Sequence, residues 1–275
     1  MFKIHLKDKV LDLTTPLVMG ILNATPDSFF KGSRMEAIDL GIQKAIEMVN
    51  FGASIIDIGG QSTRPGAELI KEAMEIERVV PMIEAIHAAL PQIPISIDTY
   101  HASVAKAAID AGALIVNDIS CGNFDSKMIP MVVANQVGYI GMHQTGGPGS
   151  MHEVEARTNI METLKDYFMH KKRQFSEMGL TEWIMDPGFG FSKTVEENFT
   201  LVKSLAELKA LDLPILLGVS RKSSIYKTLG VDVDAALNGT TVLNTIGLQS
   251  GASILRVHDV KEAKEVILLI EKMNA

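Results

Sequence analysis

Short, almost uninterrupted apolar runs alternate along this chain with longer segments whose apolar residues recur three or four positions apart. The runs are PLVMGILN (16–23), SIIDIGG (54–60), PISIDT (94–99), LIVNDIS (114–120), GYIGMH (138–143), EWIMDPG (182–188), PILLGVS (214–220) and SILRVHD (253–259). Runs of this kind read as strands buried on both faces, the character of a parallel sheet covered by helices. In ELIKEAMEIERVVPMIEAIHAAL, Ile70, Ala73, Met74, Ile76, Val80, Ile83, Ile86 and Leu90 keep a helical period. Pro81 is expected to kink or divide that helix. The segment Val260 to Ile270 repeats the period. Eight strand–helix units over about 250 residues predict an α/β fold, a (β/α)8 TIM barrel, as a single domain over 1–275. A doubly wound open sheet is the runner-up. The alternating start, MFKIHLKDKVLDLTT, predicts a short β-hairpin over 1–15 that closes the barrel floor.

Composition narrows the class. With 275 residues and 47% apolar content the chain can build a large core. A net charge of −7 gives a polyanion nothing to hold, so no nucleic-acid partner is expected. The single cysteine, Cys121, excludes a disulfide framework and a cysteine-based zinc site and suits a reducing compartment. The charged, alternating first residues resemble neither a signal peptide nor an anchor, and no apolar run is long enough to span a bilayer. A soluble cytoplasmic protein is expected.

In a barrel enzyme the chemistry sits at the carboxyl ends of the strands. Here those ends carry Asn23, Asp57, Asp98 with Thr99, Asn117 with Asp118, His143, Asp186, Ser220 to Lys222, and Arg256 with His258; the loop after the second run adds Thr63 and Arg64. Singly, each could be a loop cap, and Asp57 and Asp118, set within apolar runs, suit structural hydrogen bonding. Their convergence on one face predicts a site there.

The loop DPGFGFSK (186–193) has the glycines and the Ser-Lys of a phosphate cradle, but the chain contains no Gly-x4-Gly-Lys-Ser/Thr, and GFGFSK lacks the third glycine of a dinucleotide fingerprint. HEVEA (152–156) lacks the second histidine of a zinc protease. What remains is a carboxylate at a buried strand end, and such a group needs paired donors. A planar heterocycle with two parallel N–H groups would supply them bidentately. Cations gather elsewhere: Arg64, Arg221, Lys222 and Arg256, with His258, predict an anion site. Asn23 offers a neutral oxygen suited to Mg²⁺.

The motifs MGILNATPDSF (19–29), DIGGQSTRPGA (57–67), SIDT (96–99), NDIS (117–120), DPGFGFSK (186–193), GVSRKS (218–223) and RVHDV (256–260) together resemble the dihydropteroate synthase family of pterin-binding TIM barrels. STRPGA and DPGFGF are the specific ones. The resemblance implies condensation of (7,8-dihydropterin-6-yl)methyl diphosphate with 4-aminobenzoate, giving 7,8-dihydropteroate and diphosphate in folate biosynthesis. It implies a pterin pocket of Asp98, Asn117, Asp186 and Lys222, with Arg256 stacking on the pterin and reaching the diphosphate. Asn23, Arg64 and His258 match the diphosphate and Mg²⁺ site. Thr63, Pro65, Phe29, Phe191 and Ser223 match the aminobenzoate side, where sulfonamides compete. Asp98, Arg64, Lys222 and His258 are the residues expected to carry catalysis, by electrostatic stabilisation without a covalent nucleophile; Cys121 is expected to be a packed bystander. A homodimer is implied by likeness alone.

Departures from the family pattern are FKGSR (30–34) after TPDSF, Gln61 where glutamate is usual, HQTGGPGSM (143–151), and Ser224 for a common phenylalanine. The rival readings are a corrinoid-type pterin-binding methyltransferase, a catalytically silent pterin-binding homologue, and a phosphosugar barrel, whose glycine-rich seventh loop SRKSS does not supply.

Overall fold

The eight apolar runs become eight parallel strands that pair in a ring. In the computed structural model, which describes residues 2–7, 9–24, 34–61, 69–151, 153–154 and 157–274 (Arg34 for its backbone alone), the chain begins with the antiparallel pair β1 (Lys3–Leu6) and β2 (Lys9–Asp12), with Ile4 opposite Leu11. The barrel strands follow as β3 (Leu17–Asn23), β4 (Ile55–Gly59), β5 (Ile95–Asp98), β6 (Ile115–Asp118), β7 (Gly138–Met142), β8 (Ile184–Asp186), β9 (Leu216–Leu217) and β10 (Ile254–Val257). Their order in the sheet is β8-β7-β6-β5-β4-β3-β10-β9. A single parallel bridge, Met185 to Ile215, joins the two ends and closes the cylinder. The fold is therefore the (β/α)8 barrel, and the open sheet is excluded.

All five residues of β4 and of β7 are buried, as continuous apolar runs require. Outside them pack α1 (Arg34–Asn50), α2 (Glu72–Ala89), α3 (Ala102–Asp110), α4 (Met128–Asn135), α5 (Ile160–Glu177), α6 (Val195–Lys203), α7 (Ser223–Leu229), α8 (Leu237–Gln249) and α9 (Val260–Asn274). One cluster of buried side chains fills the layer between strands and helices. A second fills the amino-terminal end of the cylinder, where Ile4, Leu6, Leu11 and Leu13 of the hairpin meet Met19, Ile55, Ile115, Ile140, Ile184, Leu216 and Ile254. Leu6 presses so closely on β7 that a Cβ at Gly138 would lie 2.5 Å from it. The hairpin thus plugs the floor, in the position expected from its alternation.

Helix α2 differs from its sequence expectation in two ways. It runs undivided through Pro81. The lost hydrogen bond, a cost of about 3 kcal/mol, is outweighed by burial of Val79, Met82, Ile83 and Ile86 against the strands. Its inner face is also rotated: Glu75 is buried, while Met74 is 47% exposed. Among the described residues no helix is long and apolar enough to cross a membrane.

Candidate active site

The carboxyl ends of the strands bring a net of acids and cations together. Arg256, on β10, reaches across the cylinder: its Nε donates to Oδ2 of Asp57 (2.6 Å) and its Nη2 to Oδ2 of Asp98 (2.5 Å). Asn117, on β6, donates from Nδ2 to the same Asp57 oxygen (3.1 Å). Four strands therefore contribute to one connected cluster. Burial works against the charge of Arg256, but Asp57 and Asp98 outweigh it and hold the guanidinium above its ordinary range. Burial likewise pushes Asp98 up to about 7, the charge of Arg256 opposing and Asp57 adding to the rise.

Asp186 ends β8 and is 6% exposed. Its Oδ1 accepts from the amide of Gly188 (2.7 Å). A Cβ built at Gly218 would lie 3.9 Å from Cβ of Arg256 and 4.0 Å from Oδ2 of Asp186, so the two side chains flank one small gap that glycine leaves open. The acid is buried rather than open to bulk solvent, and the charges of Lys222 and Arg256 act on it. Burial raises its pKa, with Lys222 and the Gly188 amide opposing.

Loop 186–193 is not a phosphate cradle. Lys193 is 5% exposed and turned inward, where its Nζ donates to the carbonyls of Gly188 (2.9 Å) and Phe191 (3.2 Å) and meets Nδ1 of His143 (3.1 Å). Burial pulls its pKa down to about 7. Gly188, at φ 71°, passes so near His143 that a Cβ would stand 2.0 Å from that carbonyl oxygen; only glycine fits. Asn198 completes the anchor: Oδ1 accepts from Gly190 N (2.7 Å), while Nδ2 donates to the Thr194 carbonyl (2.8 Å) and to Ser224 Oγ (3.1 Å). Ser224, where the family pattern has phenylalanine, is thereby the tie between this loop and α7.

Lys222 donates from Nζ to the Phe189 carbonyl and lies 4.2 Å from the centre of the Phe191 ring. Burial lowers its pKa to about 8. Its neighbour Ser223 is half-buried at the start of α7. Beside the acids stands an apolar wall of Tyr100, Ile119, Met142, Met151 and Phe191. Met151 belongs to the divergent segment 143–151, which retains an apolar contribution to this wall.

At the eighth strand end, the amide of His258 donates to Ser220 Oγ (3.1 Å), and that hydroxyl pairs with Nδ1 of the ring (3.0 Å). The two contacts fix the ring of His258 against Ser220 at the mouth of the barrel. Asn23 is half-buried at the end of β3; it and His258 line a cleft of about 370 Å³ whose other walls include Lys44, Glu47 and Met48 of α1 and Phe51 just beyond it, with none of the clustered acids among them.

One sequence expectation changes here. Arg221, counted among the anion-site cations, donates from Nε and Nη2 to both oxygens of Asp259 (2.9 and 2.8 Å) and is committed to that pair. Asp57 acts as a hydrogen-bonding partner, holding both Arg256 and Asn117. Asp118 is structural as expected: it accepts from Ser120 N, Ser120 Oγ, Gly122 N and the Tyr139 hydroxyl. Cys121 is buried and its thiol is pushed up to about 12, so it stays an unreactive packed residue. Phe29, Thr63, Arg64 and Pro65 lie outside the described residues. Gln61 accepts from Ile70 N (2.8 Å), so an amide oxygen suffices to close the base of that loop.

Closed barrel and mouth together define a (β/α)8 enzyme whose site pairs buried carboxylates with an apolar wall and opposed cations. The family described as pterin binding enzyme matches residues 19–258. The chain is 40% identical over 273 residues to dihydropteroate synthase of Bacillus subtilis, covering 98% of this chain and 93% of that one. Among solved structures, a Yersinia pestis dihydropteroate synthase in a sulfonamide drug complex superposes with a TM-score of 0.92 at 35% identity over 99% of both chains. The Clostridium difficile dihydropteroate synthase, solved in the presence of pteroic acid, gives 0.89 at 38% identity over 94% of this chain and 97% of that one. This chain belongs to the dihydropteroate synthase family.

Proposed function

We infer that the chain joins (7,8-dihydropterin-6-yl)methyl diphosphate to 4-aminobenzoate, releasing diphosphate and forming 7,8-dihydropteroate. The observation that carries this is Asp186, a buried acid beside the Gly218 gap with Arg256 across it and Asp98 and Asn117 in the same cluster. A pterin's amino group and ring N–H match that carboxylate bidentately, and the apolar wall takes the ring face. Asn117 and Lys222 complete the recognition of the ring edge. Asp98 stabilises positive charge as the methylene C–O bond weakens. The electron pair of that bond leaves on the diphosphate, toward Arg64, Arg256 and His258. The aniline nitrogen then forms the C–N bond and releases its proton to water. Phe191 and Ser223, with Phe29, Thr63 and Pro65, form the aminobenzoate side, and sulfonamides would compete there.

Mg²⁺ would supply charge to the diphosphate oxygens, with the neutral oxygen of Asn23 as its protein ligand and substrate and water oxygens as the rest. Among the described residues no group of three His, Cys, Asp or Glu side chains is placed to hold an ion. A cytoplasmic homodimer completes the proposal. Support for self-association is the set of exposed apolar residues Val242, Ile246, Leu268 and Leu269 on the adjoining α8 and α9.

The test is incubation with the pterin diphosphate, labelled 4-aminobenzoate and Mg²⁺, followed by chromatography for dihydropteroate. Labelled product supports the assignment. Pterin binding without product would establish the silent homologue instead.

A further inference from the structure

Arg157 is a cation that the reaction above does not use. It follows the divergent segment 143–151 in the chain, and its side chain is 10% exposed. Its planar fork joins two loops. Nη1 donates to the Ser192 carbonyl (2.7 Å) and, at 3.4 Å, to Glu197 Oε2, while Nη2 donates to Thr145 Oγ1 (3.1 Å). The Arg157 amide donates to the other Glu197 oxygen (3.0 Å). Glu197 Oε2 also accepts from Thr194 N (2.9 Å), so the carboxylate is itself fixed at the start of α6. A parallel tie runs from Thr145 N to Ser192 Oγ (3.0 Å). The loop that follows β7 is thereby fastened to the loop that follows β8.

Ser192 is where the fastening bears. It is 1% exposed and holds φ 45°, in the left-handed region that is costly for a residue with a side chain. Such a backbone persists only where its surroundings hold it, and here Arg157 takes its carbonyl and Thr145 its hydroxyl. The next residue back is Phe191, whose ring belongs to the apolar wall with Met151 and lies 4.2 Å from Lys222 Nζ. Asp186 is held separately, by the Gly188 amide.

We propose that Arg157 is a positioning residue: its guanidinium clasps the loops after β7 and β8 and so sets the Phe191 ring where 4-aminobenzoate is received. It acts through Ser192 and Thr145 rather than on the substrate. A planar fork suits the task, because a single ammonium cannot serve a carbonyl, a hydroxyl and a carboxylate on two loops at once. The inference rests on the assignment of Phe191 to the aminobenzoate side, and the experiment separates the two.

Hydrogen exchange and steady-state kinetics are compared for the wild type, Arg157→Met and Arg157→Lys. In Arg157→Met the amides of Thr145 and Phe191 are expected to exchange about tenfold faster, while strand amides such as Ile97 and Val116 keep their rates. KM for 4-aminobenzoate is expected to rise about tenfold, with kcat and the calorimetric affinity for the pterin diphosphate each within about threefold of wild type. A merely structural loss would speed the strand amides as well and would not split KM from kcat. Arg157→Lys keeps the charge on one nitrogen and is expected to fall between the two. Unmoved exchange at Thr145 and Phe191 overturns the clasp, and an unmoved KM for 4-aminobenzoate overturns its positioning role. If Arg157→Met does not fold, Arg157→Lys decides on the same measurements. A wild type that forms no dihydropteroate would refute the function proposed above, a distinct result, since the exchange rates are read without turnover.

Discussion

Asp186 keeps one oxygen on the Gly188 amide and has the other beside the Gly218 gap. Asn at this position retains the shape but replaces an acceptor oxygen by a donor amide, so pterin binding is expected to weaken by about a hundredfold or more, read by calorimetry. Lys193 is the opposite case, a charge-bearing residue that serves the loop from inside. Met there leaves several carbonyls unpaired and is expected to cost about 2 kcal/mol in urea unfolding. The sign with pH follows from its pKa, about 7 in the fold against 10.5 as a free side chain. Between those values the unfolded chain binds the extra proton, so the contribution of Lys193 falls as pH drops from 10.5 toward 7. The gap between wild type and Lys193→Met should therefore widen from pH 7 to pH 9, by about 1 kcal/mol per unit. At this scale the sequence was only partly legible. Asp98, Asn117, Asp186 and Arg256 could be placed because strand ends converge in a barrel. Glu75 could not: it stands between Met74 and Ile76 in the apolar series, and nothing local distinguishes a buried acid from a solvated one.

At the scale of elements, the capping box at the start of α6 (Thr194 with Glu197) and the Asn198 amide stiffen loop 186–193 together. Asn198→Ala leaves the Gly190 amide and Ser224 Oγ without this partner. It is expected to lower stability by about 2 kcal/mol and to raise KM for the pterin more than it lowers kcat, which steady-state kinetics would separate. The strands were readable because burial on both faces gives an unbroken apolar signature, and the floor hairpin because one buried face gives alternation. Pro81 misled because its local cost is small beside the packing of α2, and packing is not written in any one residue. Arg221 misled for a similar reason: its partner Asp259 lies 38 positions away, and nothing local announces the pair.

For the molecule as a whole, the exposed apolar side chains of α8 and α9 are the surface on which self-association is expected. Leu269→Asp places a charge among them. Analytical ultracentrifugation should show a dimer for the wild type and a monomer for the variant; two monomers, or two dimers, would remove this surface from consideration.

The cylinder is least well stitched where β8 and β9 meet, since β9 has two residues and one bridge spans the join. A wall held that thinly is where amide protons should trade with deuterium soonest among the eight strands, at Met185 and Ile215 ahead of Ile56 or Ile97. Asp186 and Lys222 stand on either side of that seam. Breathing of the barrel would thus be felt first by the two side chains proposed to grip the ring, and a tightly held pterin is expected to slow exchange there more than anywhere else in the wall.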